Sequence, residues 1–147
     1  MHLDVTVCLP REAESVALIR GVIGDTLTKL GVTADCVADI RLALSEACTN
    51  VIDHAAAEDE YEVRLKVDGA RCEISITNAG HTFDAASLAG EMPGTSSARG
   101  RGVAIMHALM DSVAFKSEPE AGTIVHLVKQ VDLVDDGPLT RMQRHPD

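Results

Sequence analysis

The feature that most constrains the fold of this chain is the pair of alternating segments on either side of Asp68-Gly69. Apolar residues occupy every second position in both segments: Tyr61, Val63, Leu65, Val67, Cys72, Ile74 and Ile76. A period of two indicates a β-strand with one buried face, and Asp-Gly favours a tight turn. The sequence therefore predicts a β-hairpin whose apolar face must be covered by a second layer.

The remaining periodic segments supply the rest of the sheet and its cover. The predicted elements are a strand over 3–9, helices over 11–30 and from 33 or 35 to about 57, a short helix near 83–89, a helix over 102–110 and a second hairpin over 113–131. Gly31 is expected to cap the first helix. This order predicts an α+β fold, a two-layer α/β sandwich with helices on one face of a mixed, mostly antiparallel sheet.

The length and hydrophobicity of the chain fit one domain. It has 147 residues, of which 46% are hydrophobic, enough for one core of ordinary size. We expect the domain to span 1–131. The polar segment 132–147 contains Gly137-Pro138, Arg141 and Arg144 and is predicted to be a flexible C-terminal tail.

Charge, composition and cysteine spacing exclude several classes of protein. A net charge of -10 without a basic run argues against direct nucleic-acid binding. No export signal or long apolar run is present, so we expect no membrane span. Cys8, Cys36, Cys48 and Cys72 show no metal-binding or redox spacing, and all but Cys36 occupy positions predicted to be buried. A cytoplasmic location follows as an expectation.

A polar stripe on the second predicted helix is the first functional signal. At about 100° per residue, its members fall within roughly a third of the helix circumference. They are Glu46, Asn50, Asp53 and His54, with Asp39 and Thr49 at the edges, and the opposite face is apolar: Val37, Ile40, Leu44, Cys48, Val51 and Ala55. Because the stripe has no cation except a protonated His54, it favours a site for a cation or a metal-bound phosphate. The alternative is an ordinary exposed face.

Two further motifs become informative beside this stripe. Asn78-Ala79-Gly80 ends a strand, and Gly100-Arg101-Gly102 begins a helix. Glycines before a helix let the backbone approach an anion, and free amides at a helix start favour phosphate. With Arg99 beside them, they predict a polyphosphate site whose Mg²⁺ takes the side-chain oxygen of Asn50. The alternative is a flexible loop before a helix.

Together these motifs resemble the nucleotide-binding boxes of the gyrase, Hsp90, histidine-kinase and MutL ATPase superfamily. The resemblance rests on Glu46-x-x-x-Asn50-x-x-x-His54, Asn78-x-Gly80, Gly100-Arg101-Gly102-Val103 and Gly122-Thr123, in that order, and covers roughly 3 to 130. The short length and the 100–106 segment look most like the anti-sigma-factor serine kinases of the RsbW and SpoIIAB type. The resemblance implies the Bergerat-type ATPase fold, ATP and Mg²⁺ as cofactors, and a homodimer.

The resemblance also assigns roles around the phosphates. Glu46 would be the general base that accepts the proton of a Ser or Thr hydroxyl, and Asn50 would hold Mg²⁺. Gly100 and Gly102 would form a lid hinge at the phosphates. Arg99 is the expected contact to the terminal phosphate, and Arg101 is its rival. The alternative for both arginines is a solvated pair in a loop.

Further roles are implied at the nucleoside end of the pocket. Asp53 and His54 would line the pocket, Gly80 would let the backbone pass close to adenine, and Thr123 would lie under the purine. For His54 the alternative is a helix-end contact, and for Thr123 it is a strand residue after a turn glycine. Asn78 departs from the family pattern, which has Asp at that position. A neutral acceptor loses the charge-assisted part of its hydrogen bond to adenine, about 1 kcal/mol or somewhat more.

The resemblance implies partners as well as chemistry. The leading expectation is a cytoplasmic serine/threonine kinase that sequesters a sigma factor and phosphorylates an anti-anti-sigma (STAS-type) protein. One alternative is a binding module that traps a sigma factor or its antagonist without efficient catalysis, which Asn78 favours and Glu46 opposes. Another is the catalytic half of a histidine kinase, which the lack of a dimerising helical hairpin with an acceptor His argues against.

Overall fold

The computed structural model describes residues 2–54, 60–78, 98–118 and 122–144. Its elements follow in the order β1 (His2–Pro10), α1 (Ala13–Leu30), α2 (Ala34–His54), β2 (Glu60–Asp68), β3 (Arg71–Asn78), α3 (Ala98–Leu109), β4 (Ser112–Glu118), β5 (Gly122–Gln130) and α4 (Pro138–Arg144). The predicted helix near 83–89 lies outside the described residues, as does the predicted end of the second helix at 55–57.

The strands form one five-stranded sheet in the order β1-β2-β3-β5-β4. Every neighbouring pair is antiparallel, so the described sheet is antiparallel throughout rather than mixed. The predicted hairpin is confirmed: β2 and β3 pair from Tyr61–Asn78 to Asp68–Arg71. Its loop is Gly69-Ala70, one residue later than predicted, and Gly69 takes a φ of 58° that glycine adopts without steric cost.

The core lies between one face of this sheet and the helices. The alternating residues of β2 and β3 that were predicted to be buried are all 0% exposed, and so are Ile40, Leu44, Cys48 and Val51 on the apolar face of α2. Burying an aliphatic side chain contributes about 1.5–3 kcal/mol, so this layer accounts for much of the driving force for folding. The predicted α+β two-layer architecture is confirmed.

The corner between α1 and α2 is closed by Gly31. Its φ is 97°, its N–H donates to the carbonyl of Thr28 at 3.1 Å, and the N–H of Val32 donates to the carbonyl of Leu27 at 3.0 Å. These paired bonds satisfy the last carbonyls of α1 and turn the chain back along the sheet. The predicted cap at Gly31 is therefore confirmed.

Residues 132–144, for which the sequence predicted a flexible tail, contact the corner between α1 and α2. Leu133 makes a β-bridge with Val32, and the N–H of Val134 donates to the carbonyl of Gly31 at 2.8 Å. Leu139 on α4 is 0% exposed. A polar stretch thus packs on the α1–α2 corner because Leu133 and Leu139 contact the core. Residues 145–147 lie outside the described part.

The cysteines are all free thiols, and the structure corrects one of them. Cys8 is exposed, whereas Cys36, Cys48 and Cys72 are buried. Because Leu9 and its alternate neighbours on β1 point toward the core, Cys8 lies on the opposite face, across from Glu62. Among the described residues, none of the helices combines the length and hydropathy needed to cross a membrane.

Candidate active site

The polar stripe of α2 spans a gradient of burial. Asn50 is only 6% exposed, Glu46 is half-buried and Asp53 is exposed. The side chain of His54 lies outside the described part of the structure. Asn50 is therefore the most buried of the described stripe residues. It is buried even though Cys48, two positions earlier, points to the opposite, apolar face of the helix.

The side chain of Asn50 has a buried amide nitrogen that finds no hydrogen-bond partner in the described part of the chain. Among the described residues, nothing accepts a hydrogen bond from its Nδ2. Leaving a buried donor unpaired costs about 1–3 kcal/mol, so such groups usually mark a ligand or an ordered water. A metal-bound phosphate fits this amide well, since Oδ1 can bind the metal while Nδ2 donates to a phosphate oxygen.

Glu46 lies directly against α3. A β-carbon on Gly102 would stand 2.7 Å from Oε2 of Glu46, closer than any side chain tolerates. A side chain at position 102 would therefore have to displace the Glu46 carboxylate, which is the flexible end of that side chain. The structure thus brings together Glu46 and Gly102, two residues that the sequence placed in the same site.

The glycine motif lies inside α3 rather than before it. The helix begins at Ala98, four residues earlier than predicted, so it includes Gly100 and Gly102. The amides of the first three residues of an α-helix have no acceptor within the helix, which leaves those of 98–100 available for an anion. Arg101 is exposed, and the side chain of Arg99 lies outside the described part.

The nucleoside end of the predicted site is described only by its backbone. β3 ends at Asn78, whose backbone pairs with that of Tyr61. β5 begins at Gly122-Thr123 and pairs Ile124 with Thr77, so Asn78 and Thr123 lie at the same end of the sheet. The side chains of Asn78 and Thr123, and the whole of Gly80, lie outside the described residues.

Asp39 does not belong with the other polar residues of α2. Its Oδ2 lies 3.9 Å from Nζ of Lys129 on β5. The same Nζ donates to the carbonyl of Leu109 at the end of α3, at 2.6 Å. Lys129 therefore joins α3 to the sheet. Asp39, which the sequence analysis placed at the edge of the polar stripe, lies beside Lys129 and contributes to this packing.

Three residues that support α2 were not found by sequence reasoning. Nε of Arg11 donates to the carbonyl of Ile52 at 2.8 Å, and the hydroxyls of Ser15 and Tyr61 lie 2.5 Å apart. Burial raises the pKa of Tyr61 to about 12 and that of the neighbouring Cys48 thiol to about 12. Pairs so far apart in sequence leave no local pattern, although Tyr61 stands out as the only tyrosine.

Other parts of the described structure are less suited to this chemistry. A cavity of about 470 Å³ lies at the opposite end of α2, lined by Thr28, Gly31, Val32, Ala34, Val37, Ala38, Arg41 and Val134. None of the predicted site residues lines it. Within the described ranges, no group of three or more His, Cys, Asp or Glu side chains is placed to hold a metal. Mg²⁺ needs no such cage, because it keeps waters and phosphate oxygens and takes one or two protein ligands.

Comparisons with known proteins identify the family. Residues 9–129 match the model of the histidine kinase-like ATPase domain. The serine-protein kinase RsbW of Halalkalibacterium halodurans is 30% identical over 143 residues, covering 90% of this chain and 87% of that protein. RsbW of Bacillus subtilis is 30% identical over 135 residues, covering 84% and 83%.

A solved structure supports the fold independently. The RsbU and RsbW domains of Rv1364c from Mycobacterium tuberculosis superpose with a TM-score of 0.66 at 19% identity, over 88% of this chain and 32% of that one. The family match extends from the end of β1 through β5 and so includes α2, α3 and the facing strand ends. The chain belongs to the histidine kinase-like ATPase domain family, among the relatives of the RsbW serine-protein kinases.

Proposed function

We propose that this protein is a serine/threonine protein kinase that binds Mg-ATP between α2, α3 and the ends of β3 and β5. The observation that carries the proposal is the unpartnered, buried amide of Asn50, one helical turn from the Glu46 carboxylate. An amide donor, an amide oxygen and a carboxylate on one helix face suit a metal-bound triphosphate. The family match and the RsbW relatives support the same reading.

The proposed roles follow from the chemistry of each group. Glu46 would accept the proton of the substrate hydroxyl at a carboxylate oxygen, and Gly102 leaves that carboxylate room beside α3. The free amides of 98–100 would hydrogen-bond phosphate oxygens, assisted by Arg99 or Arg101. Asn50 would hold Mg²⁺ through Oδ1. The bound ion would neutralise charge on the transferred phosphoryl group, a reaction that depends on positioning and electrostatics.

The remaining residues would define the nucleoside end of the pocket. Asn78, at the end of β3, would accept a hydrogen bond from adenine, with Gly80 allowing close approach and Thr123 beneath the ring. Asp53 and His54, at the end of α2, would line the pocket entrance. Because Asn78 is neutral, we expect weaker binding of ATP than a carboxylate at this position would give.

The proposed partners are a sigma factor and an anti-anti-sigma protein of the STAS type. In this scheme the protein sequesters the sigma factor. It also phosphorylates a Ser or Thr of the anti-anti-sigma protein, and the phosphorylated antagonist then dissociates. Nucleotide state therefore controls which partner is bound. We further propose that it acts as a cytoplasmic homodimer without direct contact to nucleic acid or membrane. The net charge of -10 supports the exclusion of nucleic acid.

Transfer of labelled phosphate tests the proposed activity. The protein, Mg²⁺ and labelled ATP are incubated with candidate acceptor domains, and acid-stable phosphate on Ser or Thr is the expected product. Glu46→Gln should abolish transfer while retaining nucleotide binding. Asp136→Asn, in the exposed turn before α4, is the control that should transfer normally.

A second function is favoured by one residue, Asn78, where the family pattern has a carboxylate. In that case the protein binds a sigma factor or its antagonist as a trap, equally well with and without nucleotide, and transfers nothing. Acid-labile phosphate on the chain itself would instead indicate histidine-kinase chemistry. The same labelling experiment therefore separates all three functions.

A further inference from the structure

Arg11 supports the end of α2 from another part of the chain. In the described part of the chain α2 ends at His54, so the carbonyl of Ile52 lies in its last turn. Nε of Arg11 donates to it at 2.8 Å, and a cation here is also favoured by the helix dipole. Arg11 lies between β1 and α1, 41 residues away in sequence.

A second contact holds the start of α1 from inside the core. Tyr61 of β2 is 0% exposed, and its hydroxyl lies 2.5 Å from Oγ of Ser15 in the first turn of α1. Tyr61 therefore joins the start of α1 to the sheet.

The segment between β1 and α1 is itself braced. Oγ of Ser15 donates to the carbonyl of Glu12 at 2.7 Å, and the N–H of Glu12 donates to the carbonyl of Pro10 at 2.8 Å. We call residues 11–15 the β1–α1 corner. Its internal hydrogen bonds make it a fixed support rather than a loose connection.

The contact from Arg11 lies close to Asn50. Ile52 follows Asn50 by two positions, so Arg11 holds α2 just after the buried amide. We propose that the β1–α1 corner, anchored on Tyr61 through Ser15, positions Asn50 by holding α2 at Ile52 through Arg11. Arg11 and Tyr61 are thus positioning residues. Their effect on nucleotide binding rests on the function proposed above, but their effect on α2 does not.

Hydrogen exchange on the nucleotide-free protein tests the grip on α2. Arg11→Gln and Tyr61→Phe should each speed exchange of the amides over 50–54 by roughly 10-fold, the scale of one lost hydrogen bond to a charged or buried group. Arg11→Lys retains a donor and should restore slow exchange. Arg20→Gln, exposed on α1, is the matched control and should exchange like wild type.

Calorimetric titration with Mg-ATP tests the consequence for Asn50. Both variants should bind several-fold more weakly than wild type, with Arg11→Lys close to wild type, while circular dichroism shows the same fold. If wild type binds no nucleotide, the proposed function fails, and the inference about α2 is then decided by hydrogen exchange alone. The inference would be overturned if the amides over 50–54 of both variants exchanged as slowly as those of Arg20→Gln. It would also be overturned if wild type bound Mg-ATP and both variants bound it with the same affinity.

Discussion

The carboxylate of Glu46 lies so close to the backbone of Gly102 that a side chain at position 102 would displace it. A β-carbon there would meet Oε2 at 2.7 Å. This contact joins α2, which carries the proposed base, to α3, whose first amides face the proposed phosphate site. The geometry of the base therefore depends on a glycine that belongs to the other helix.

Replacing Gly102 with alanine should lower the rate of phosphoryl transfer while leaving the free energy of unfolding almost unchanged. The new methyl group displaces Glu46, so phosphoryl transfer should fall by roughly 10- to 100-fold, the scale for a misplaced catalytic group. Stability should change little, because alanine favours a helix by about 1 kcal/mol over glycine and offsets the strain. Initial rates and thermal unfolding measure the two effects.

Gly21→Ala on α1 is the matched control for that variant. A β-carbon on Gly21 meets nothing within 4 Å. We expect this variant to gain stability from helix propensity alone and to keep full activity. Equal rates for Gly102→Ala and Gly21→Ala would contradict the proposed role of the Glu46–Gly102 contact.

Replacing Asn78 with aspartate should tighten ATP binding. The carboxylate restores a charge-assisted acceptor for the adenine amine, which adds about 1 kcal/mol and hence roughly a 5-fold increase in affinity. Calorimetry with Mg-ATP and Mg-GTP measures both affinity and base preference. Unchanged or weaker ATP binding by a folded variant would contradict the proposed contact between Asn78 and adenine.

Alkaline pH should destabilise the fold through three buried groups. Burial raises the pKa of Cys48 and Cys72 from 9.0 to about 12 and that of Tyr61 from 10.0 to about 12. The folded state therefore keeps protons that the unfolded state loses. This stabilising contribution is complete below pH 9 and is lost as the pH rises toward 12, at up to about 1.4 kcal/mol per pH unit for each group.

Urea unfolding between pH 8 and pH 10.5 tests this dependence. The free energy of unfolding should fall from about pH 9 onward, first through the thiols and then through the phenol. Cys72→Val removes one titrating group without a large change in volume and should flatten the slope. A stability that stays constant to pH 10.5 would show that these groups titrate alike in both states.

Leu139 should be part of the folding core rather than of a tail. It is 0% exposed, so Leu139→Ala should lower the free energy of unfolding by about 2–5 kcal/mol. Met142 on the same helix is 44% exposed, and Met142→Ala should cost little. Equal stabilities of the two variants would indicate that residues 132–144 form the flexible tail that the sequence predicted.

The sequence predicted the fold well because its signals are periodic and local. The alternation around Asp68-Gly69 and the apolar face of α2 each determine which side of an element is buried, and Gly31 marks a helix end through its own conformational freedom. Leu139 was missed because one apolar residue in a polar stretch carries no period. Its burial depends on the α1–α2 corner, which only the tertiary structure provides.

The candidate site was predictable in its residue types but not in its supports. Glu46 and Asn50 could be placed on one stripe from helical spacing, and the structure shows which of them is buried. The closeness of Glu46 to Gly102, the hydrogen bond from Arg11 to Ile52 and the contact of Ser15 with Tyr61 join residues far apart in sequence. No spacing rule relates such residues, so these contacts required the folded chain.

The most direct test of the account is a calorimetric titration with Mg-ATP of wild type and Asn50→Leu, combined with urea unfolding of both proteins without nucleotide. Leucine fills nearly the same volume and removes the unpaired amide, so the free energy of unfolding should rise by about 1–2 kcal/mol while nucleotide binding is lost. Wild-type affinity for Mg-ATP in a folded Asn50→Leu protein would contradict the central claim that Asn50 is held for a metal-bound nucleotide.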